Sequence, residues 1–337
     1  MSKEIRYSIL DLATVLEGDT YTQTFEKSVL SAQAAEKFGY ERYWFSEHHN
    51  MPSVISAATS LLIGHVAQQT QSIRVGSGGI MLPNHTTLSI AEQFGTLDAM
   101  FPNRIDLGLG RAPGTDPLTA SVLRRGDENF NYNFEYHIQE LLRYFSTENA
   151  NAKVRAFPGE GANVPLYILG SSTDSAYLAA KLGMPYAFAG HFAPGQFRQA
   201  FEIYQSRFTP SKFLDKPYSM LCVSVFAAET EDEAQYISLS HYQAIVNLLL
   251  DQRAPLVHPE NTNLEDMSEM LYQRVMQMTA LSLIGDKEIL KSKISQLIQD
   301  LNLDEIMVYS NIYDFESKLK SYEITSQVFK EFNQNFD

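Results

Sequence analysis

The chain has 337 residues, 44% of them hydrophobic and 20% charged, which favours a globular protein and argues against disorder. Its formal net charge of -14 would repel phosphate backbones and anionic lipid alike, so we exclude nucleic acid and membrane surfaces as partners. The single cysteine, Cys222, excludes an intrachain disulfide, and the charged N-terminus MSKEIRYSILDL lacks the apolar core of a signal peptide. We therefore expect a cytoplasmic protein.

Apolar strand candidates alternate with amphipathic helix candidates along the chain. The pattern predicts strands at 7–13, 42–49, 73–82, 105–110, 165–170, 186–192, 218–229 and 305–312. It predicts helices at 25–38, 56–70, 88–101, near 128–146, and at 173–183, 195–208, 231–250 and 315–332. The first of these helices carries Lys37 in its last turn and is followed by Gly39, a combination typical of a helix C-terminus.

Strands that alternate with helices pair in parallel through right-handed crossovers. Eight such strands predict a (β/α)8 TIM barrel, and an open doubly wound sheet is the competing fold. No linker or repeat divides the chain, so we predict one domain over 1–337. The segment 251–286, rich in Pro, Asn and acidic residues, breaks the alternation before the last strand. It is either a lid over the active face or a surface excursion.

The motif SEHHN at 46–50 follows the apolar run YWF at the end of the second strand. Alternation along a strand puts His48 and His49 on opposite faces, which argues against a shared metal ion. One histidine should face the barrel mouth, where barrel enzymes assemble their sites. The other is explained by a structural hydrogen bond with Glu47.

Two glycine-rich strand ends are further candidates. Gly78 and Gly79 in VGSGGIMLPN either allow a flat ligand to approach the backbone or mark a barrel bend. The run GLGRAPG at 108–114 does not have the spacing of a dinucleotide-binding fingerprint. Its Arg111 is either a fixed cation for an anionic ligand group or a surface salt-bridge partner.

The sequence LGSSTDSAYLAA places Ser171 and Ser172 between a strand and a helix. Free N–H groups at the helix start would seat a phosphate, although ordinary capping by a serine explains the same pattern. The remaining histidines are isolated in sequence, and we interpret them as structural: His65, His85, His137, His191, His241 and His258.

Long motifs in this chain resemble the bacterial luciferase-like flavin monooxygenase family, in its single-chain oxidoreductase branch. They are YWFSEHHNMPS, GSGGIMLPNHTTLSIAEQFGTLDAMFPNRIDLGLGRAPG and DEIMVYSNIYD, and the resemblance covers nearly the whole chain. It implies a TIM barrel that binds FMN, taken up as FMNH2 from a separate NAD(P)H:flavin reductase, and it makes a homodimer plausible.

The resemblance also implies roles for individual residues. His48 matches the histidine that assists proton transfer beside the flavin, and Gly78–Gly79 matches a non-proline cis peptide beneath the flavin ring. Arg111, Ser171 and Ser172 match the phosphate-binding positions. The segment 251–286 corresponds to a mobile loop over the site.

The chemistry implied by the resemblance is oxygenation of a small organic substrate by FMNH2 and O2 through a flavin C4a-hydroperoxide. Gly110 stands where light-emitting subunits carry a reactive cysteine, so we do not expect light emission. An F420-dependent hydride-transfer enzyme and a non-catalytic flavin-binding protein are the alternatives.

Overall fold

Eight parallel strands close into a barrel in the computed structural model, which describes residues 4–125, 132–265 and 267–334. A ninth short strand pairs only with the end of β7. The TIM-barrel prediction is therefore confirmed. The strands are β1 (Arg6–Asp11), β2 (Arg42–Phe45), β3 (Arg74–Met81), β4 (Ile105–Gly110), β5 (Leu166–Gly170), β6 (Tyr186–Ala189), β7 (Ser219–Ala227), β8 (Leu283–Gly285) and β9 (Glu305–Tyr309).

Helices surround the barrel and connect its strands. They are α1 (Tyr21–Phe38), α2 (Thr59–Gln69), α3 (Thr87–Met100), α4 (Pro117–Leu123), α5 (Phe134–Phe145), α6 (Thr173–Leu182), α7 (Phe197–Ser206), α8 (Glu231–Leu249), α9 (Glu269–Met278), α10 (Lys287–Leu301) and α11 (Phe315–Gln334). The start of the helix predicted near 128–146 lies partly outside the described residues. Within the described ranges, no helix combines the length and apolar character that a membrane crossing requires.

Local sequence explains how the first helix begins and ends. Thr20 and Gln23 form a capping box at the start of α1, in which each side chain binds the other residue's backbone N–H. Gly39 ends the helix in the left-handed conformation at φ 85°, which glycine adopts without steric cost. The predicted helix end at Gly39 is confirmed.

The elements α4, β8 and α10 were not predicted. The apolar positions Leu290, Ile294 and Leu297 give α10 a helical stripe, and Asp286 caps its first turn. The irregular composition of 251–286 obscured this regular unit, whose strand lies at the end of that segment and whose helix follows it. The unit adds one strand and one helix between α9 and β9, outside the eight-strand barrel.

A buried ionic network fills the barrel interior at the N-terminal ends of the strands. Arg42 is 1% exposed and donates from Nε to Glu305 and from Nη1 to Asp106, each at 2.8 Å. It also donates to the Tyr167 hydroxyl at 2.9 Å, and the Trp44 indole donates to Asp106 at 3.0 Å. Because this end is filled by side chains, the C-terminal end of the barrel is the one left for a ligand.

The segment 251–262 runs over loops at the C-terminal end of the barrel. Leu256 is 3% exposed, and its backbone N–H binds the Val15 carbonyl at 2.9 Å while its carbonyl accepts from the Glu17 N–H at 2.8 Å. Arg253 donates to the Asn50 carbonyl at 2.6 Å. These contacts join the segment to the loops after β1 and β2. Its role as a lid stays a prediction.

Candidate active site

The end of β2 directs His48 toward the barrel interior. Trp44, which has the same strand parity, packs in the interior cluster with Leu10. The Nδ1 atom of His48 lies 2.9 Å from the Ser46 hydroxyl, which in turn lies 3.0 Å from the Ser56 hydroxyl. Burial lowers the pKa of His48 to about 4, with His49 lowering it further and Glu47 opposing. His48 is thus neutral at pH 7, and its Nε2 makes no hydrogen bond within the described ranges.

Glu47 faces away from the interior and ties the strand to neighbouring loops. It is fully buried, and Oε1 lies 2.9 Å from Nε2 of both His49 and His85. The backbone N–H of Met81 donates to Oε2 at 3.0 Å. Burial alone would raise the pKa of Glu47, but these histidine and backbone hydrogen bonds lower it to about 2. The structural Glu–His pair is therefore made by His49, and His85 joins it.

The Gly78–Gly79 peptide bond at the end of β3 is cis, as the resemblance implied. A Cβ atom on Gly78 would lie 2.9 Å from Leu10 Cδ1, so Gly78 faces the interior. A Cβ on Gly79 would lie 2.3 Å from Leu169 Cδ1 and 2.7 Å from the Gly108 carbonyl oxygen. The register between β3 and β4 also shifts at this point, as the bend interpretation requires. Close approach of a ligand stays a prediction.

Arg111 follows β4 and lies beside the start of α6. Its Nη2 atom is 3.6 Å from Asp174 Oδ2 in the first turn of that helix. The two side chains are 61% and 71% exposed, so this ion pair contributes little to stability. The surface salt bridge considered for Arg111 therefore exists, but it leaves the cation accessible at a helix N-terminus.

The serines before α6 do not cap the helix. Ser172 is the N-cap residue, yet its side chain makes no capping hydrogen bond. Its carbonyl instead accepts from the hydroxyls of Ser175 and Tyr186, at 2.7 and 3.2 Å. Ser171 is exposed. The first N–H groups of α6 are consequently not taken by a serine hydroxyl, which removes ordinary capping as the explanation of this motif.

Two histidines that are isolated in sequence, His191 and His241, lie together in the fold. The ring centroid of Tyr309 is 5.3 Å from that of His191 and 5.9 Å from that of His241. His241 occupies a core position of α8 in a stripe with Ile237 and Ile245. The sequence signal that could have indicated a buried His241 is its position in an apolar helical stripe. In the described parts of the chain, no group of three or more His, Cys, Asp or Glu could hold a metal ion.

Comparison with known proteins places these residues in a family context. The family model for luciferase-like monooxygenases matches residues 5–301. A luciferase-like monooxygenase of Escherichia coli K12 is 44% identical over 329 residues, or 98% of each chain. An N-acetyl-S-alkylcysteine monooxygenase of Bacillus subtilis is 32% identical over 335 residues, covering 96% of this chain and 97% of the relative.

Solved structures share the same architecture. The crystal structure of apo-MsnO8 superimposes with a TM-score of 0.86 at 28% identity, covering 97% of this chain and 99% of the other. An F420-dependent secondary alcohol dehydrogenase superimposes with a TM-score of 0.67 at 14% identity, covering 97% and 98%, a likeness that shows the fold alone. From the family match and the identity to its members, the chain belongs to the luciferase-like monooxygenase family.

Proposed function

We propose that the protein is an FMN-dependent monooxygenase, which uses FMNH2 and O2 to oxygenate a small organic substrate. The observation that carries this proposal is the exposed Arg111 beside the uncapped start of α6, at the same end of the barrel as His48. A cation beside free backbone N–H groups is the chemistry that a phosphate requires. Membership of the family supports oxygenation as the reaction.

The residues present fit FMN at both of its ends. Arg111, Ser171 and Ser172 would hold the phosphate with the first N–H groups of α6. Gly78 and Gly79 would lie beneath the flavin ring, as the resemblance to the family implies. Reduced FMN, when bound, supplies the activation of O2, while the protein supplies position and electrostatics.

The neutral imidazole of His48 would exchange a proton with the bound ligand through Nε2. Its Nδ1 is held by Ser46, so the ring is already oriented toward the barrel mouth. The segment 251–286 would cover the mouth and exclude water. Both roles belong to the chain's own residues and can be tested by substitution.

Partners follow from the same proposal. A separate NAD(P)H:flavin reductase would supply FMNH2, and the buried thiol of Cys222 suits a cytoplasmic protein. A homodimer is proposed on the ground of the family resemblance. A monomer at micromolar concentration in sedimentation velocity would contradict the dimer.

Anaerobic titration with FMN, FMNH2 and F420 tests the cofactor assignment. We expect FMNH2 to bind, and its reoxidation after admission of O2 to follow a time course different from that of free FMNH2. Binding of F420 alone would make the protein a hydride-transfer enzyme. Binding of FMN with no effect on reoxidation would make it a non-catalytic flavin-binding protein.

The phosphate site is tested by Arg111→Ala. Loss of one charge-assisted hydrogen bond should weaken FMN binding by about 1.5–3 kcal/mol and leave riboflavin binding unchanged, because riboflavin has no phosphate. Fluorescence titration of both ligands measures the difference. Arg198→Ala is the matched control, since Arg198 is also exposed and pairs only with Asp300 at 3.1 Å among the described ion pairs. Equal losses for both flavins would remove Arg111 from the phosphate site.

A further inference from the structure

Four side chains converge at the C-terminal end of the barrel, on the side formed by β6, β7 and β9. His191 follows β6, and Ser224 of β7 pairs in register with Tyr309 of β9. His241 reaches the same place from α8, so that Tyr309 lies between the two imidazoles at 5.3 and 5.9 Å. We call His191, Ser224, His241 and Tyr309 the histidine pocket. Arg111 and the start of α6 follow β4 and β5, and β5 is the neighbour of β6 in the sheet.

Most polar atoms of the histidine pocket have no protein partner. His241 is 2% exposed, and neither of its ring nitrogens has a hydrogen-bond partner in the part of the chain that the structure describes. The same holds for Oγ of Ser224, which is 1% exposed, and for the buried Nδ1 of His191. A buried polar atom without a hydrogen bond is costly and uncommon in folded proteins. Four such atoms in one place point to a bound polar group.

The histidine pocket carries no charge at neutral pH. Burial lowers the pKa of His191 to about 3, and the nearby His241 and His48 lower it further. Burial lowers the pKa of His241 to about 4. Two carboxylates at this end of the barrel are engaged elsewhere: Asp11 accepts from the hydroxyls of Ser28 and Tyr43 at 2.6 and 2.7 Å, and Glu47 holds His49 and His85. No side chain of the pocket itself is a fixed cation or anion.

We propose that the histidine pocket binds the substrate through an uncharged amide or carbonyl group. A neutral imidazole offers one donor and one acceptor, and the Ser224 hydroxyl offers both, which matches an amide. A carboxylate or an ammonium group would be buried here without a counter-ion, which is unfavourable. The inference rests on the proposed function, because it names the substrate class of the same site.

A set of ligands with matched chains and different head groups tests the proposal. Butyramide, butyrate and butylammonium are titrated into the full-length protein at pH 7, with and without FMN, while histidine side-chain ¹⁵N resonances are recorded by NMR. We expect butyramide to shift the resonances of His191 and His241 and to bind at least tenfold more tightly than either charged ligand. Both histidines should remain neutral in the complex.

Substitutions separate recognition from folding. His241→Phe keeps a ring but removes both nitrogens, and it should weaken butyramide binding at least tenfold without lowering the unfolding temperature, since it deletes unpaired polar atoms. Ser224→Ala should also weaken butyramide binding. It serves as the second variant if His241→Phe fails to fold. The matched control is His65→Phe on the exposed face of α2, which should change nothing.

Butyrate binding as tight as butyramide, or protonation of either histidine on binding, would overturn the proposal. Failure of all three ligands to shift these resonances would overturn it as well. FMN affinity is measured on the same samples and is expected to be unchanged by His241→Phe. If the unsubstituted protein does not bind FMN, the proposed function is contradicted. If it binds FMN but not butyramide, only the proposal for the histidine pocket is contradicted.

Discussion

Adjacent histidines of one motif have different environments because a strand alternates its faces. His48 shares the interior face with Trp44, and its burial keeps the imidazole neutral. His49 shares the outer face with Glu47 and forms a hydrogen bond of 2.9 Å to that buried carboxylate. The first arrangement suits proton exchange with a ligand, and the second suits attachment of a strand end to its loops.

Substituting the two histidines separately should reveal this division. His49→Ala removes a hydrogen bond to a charged group and should lower the free energy of unfolding by about 1.5–3 kcal/mol. It should leave FMNH2 reoxidation unchanged. His48→Ala should retain FMN binding but alter the rate at which O2 reoxidises bound FMNH2. Stopped-flow absorbance and urea denaturation measure the two effects, and an identical response of both variants would contradict the assignment.

The glycine at position 79 is required by packing as well as by any ligand. We expect Gly79→Ala to destabilise the protein by about 1–3 kcal/mol, because the new methyl group would overlap Leu169 and the Gly108 carbonyl. Thermal unfolding measures the change. Gly195→Ala is the matched control, since no heavy atom lies within 4 Å of the added Cβ. Equal unfolding temperatures for the two variants would show that β3 accommodates a methyl group at residue 79 by a local shift.

At the scale of elements, loop contacts attach the inserted segment to the C-terminal end of the barrel. Leu256 forms an isolated β-bridge with Leu16: its N–H donates to the Val15 carbonyl and its carbonyl accepts from the Glu17 N–H. Arg253 donates to a carbonyl in the loop after β2. A segment attached through peripheral loop contacts can open locally without unfolding the barrel. This is the property that a cover over an active site needs.

Removing the apolar anchor should therefore loosen the segment selectively. Leu256→Ala should increase the rate of limited proteolysis within 251–265, with a smaller effect on the global unfolding temperature, because the lost burial lies at the periphery. Bound FMN should slow cleavage in the unsubstituted protein. Leu250→Ala is the control, since Leu250 is 50% exposed. Cleavage rates that are insensitive both to FMN and to Leu256→Ala would make the segment an ordinary surface loop.

On the scale of the whole molecule, the two ends of the barrel are built differently. The N-terminal end contains Arg42 between Asp106 and Glu305, all at most 1% exposed. Burial by itself would raise the pKa of Asp106, but the cations Arg42 and Arg74 lower it below its ordinary value. The C-terminal end instead collects neutral imidazoles. One end is thus a satisfied charge network, and the other contains buried polar atoms without a hydrogen-bond partner among the described residues.

Breaking the network at its centre should be severe. Arg42→Met removes the cation that two buried carboxylates share, leaving Glu305 without a close cation among the described residues and Asp106 with Arg74 alone. We expect a loss of about 3–5 kcal/mol in the free energy of unfolding. Urea denaturation at pH 7 measures it. Arg198→Met is the control, because Arg198 is 58% exposed and lies 3.1 Å from Asp300. A difference between the two variants of less than about 0.5 kcal/mol would mean that the network contributes no more than a surface pair.

Much of the site was predictable because its residues follow strands. The carboxyl ends of parallel strands meet at one end of a barrel, so His48, Gly78, Arg111 and Ser172 could be assigned to that end from their positions in the chain. The alternation of strand residues further predicted that one of the two histidines faces inward. These inferences need only local patterns and the rule of parallel closure.

Other features depend on contacts between distant parts of the chain. Arg42 donates hydrogen bonds to Asp106, which is 64 residues away in sequence, and to Glu305, which is 263 residues away. The carboxylate near Arg111 is Asp174 of another strand–helix unit, and no local pattern showed that the Ser172 hydroxyl would leave the helix uncapped. Side chains of this kind come into contact only in the folded barrel, because their strands are distant in sequence.

The sequence alone therefore determined the alternation of strands and helices, the barrel, the family and the strand-end positions of the site, because each is encoded in residues near one another in the chain. Only the tertiary structure decided that His191 and His241 meet around Tyr309. The physical reason is barrel closure: the pairing of β7 with β6 and β9, and the packing of α8 against β7, bring together residues whose separation in sequence carries no record of their contact.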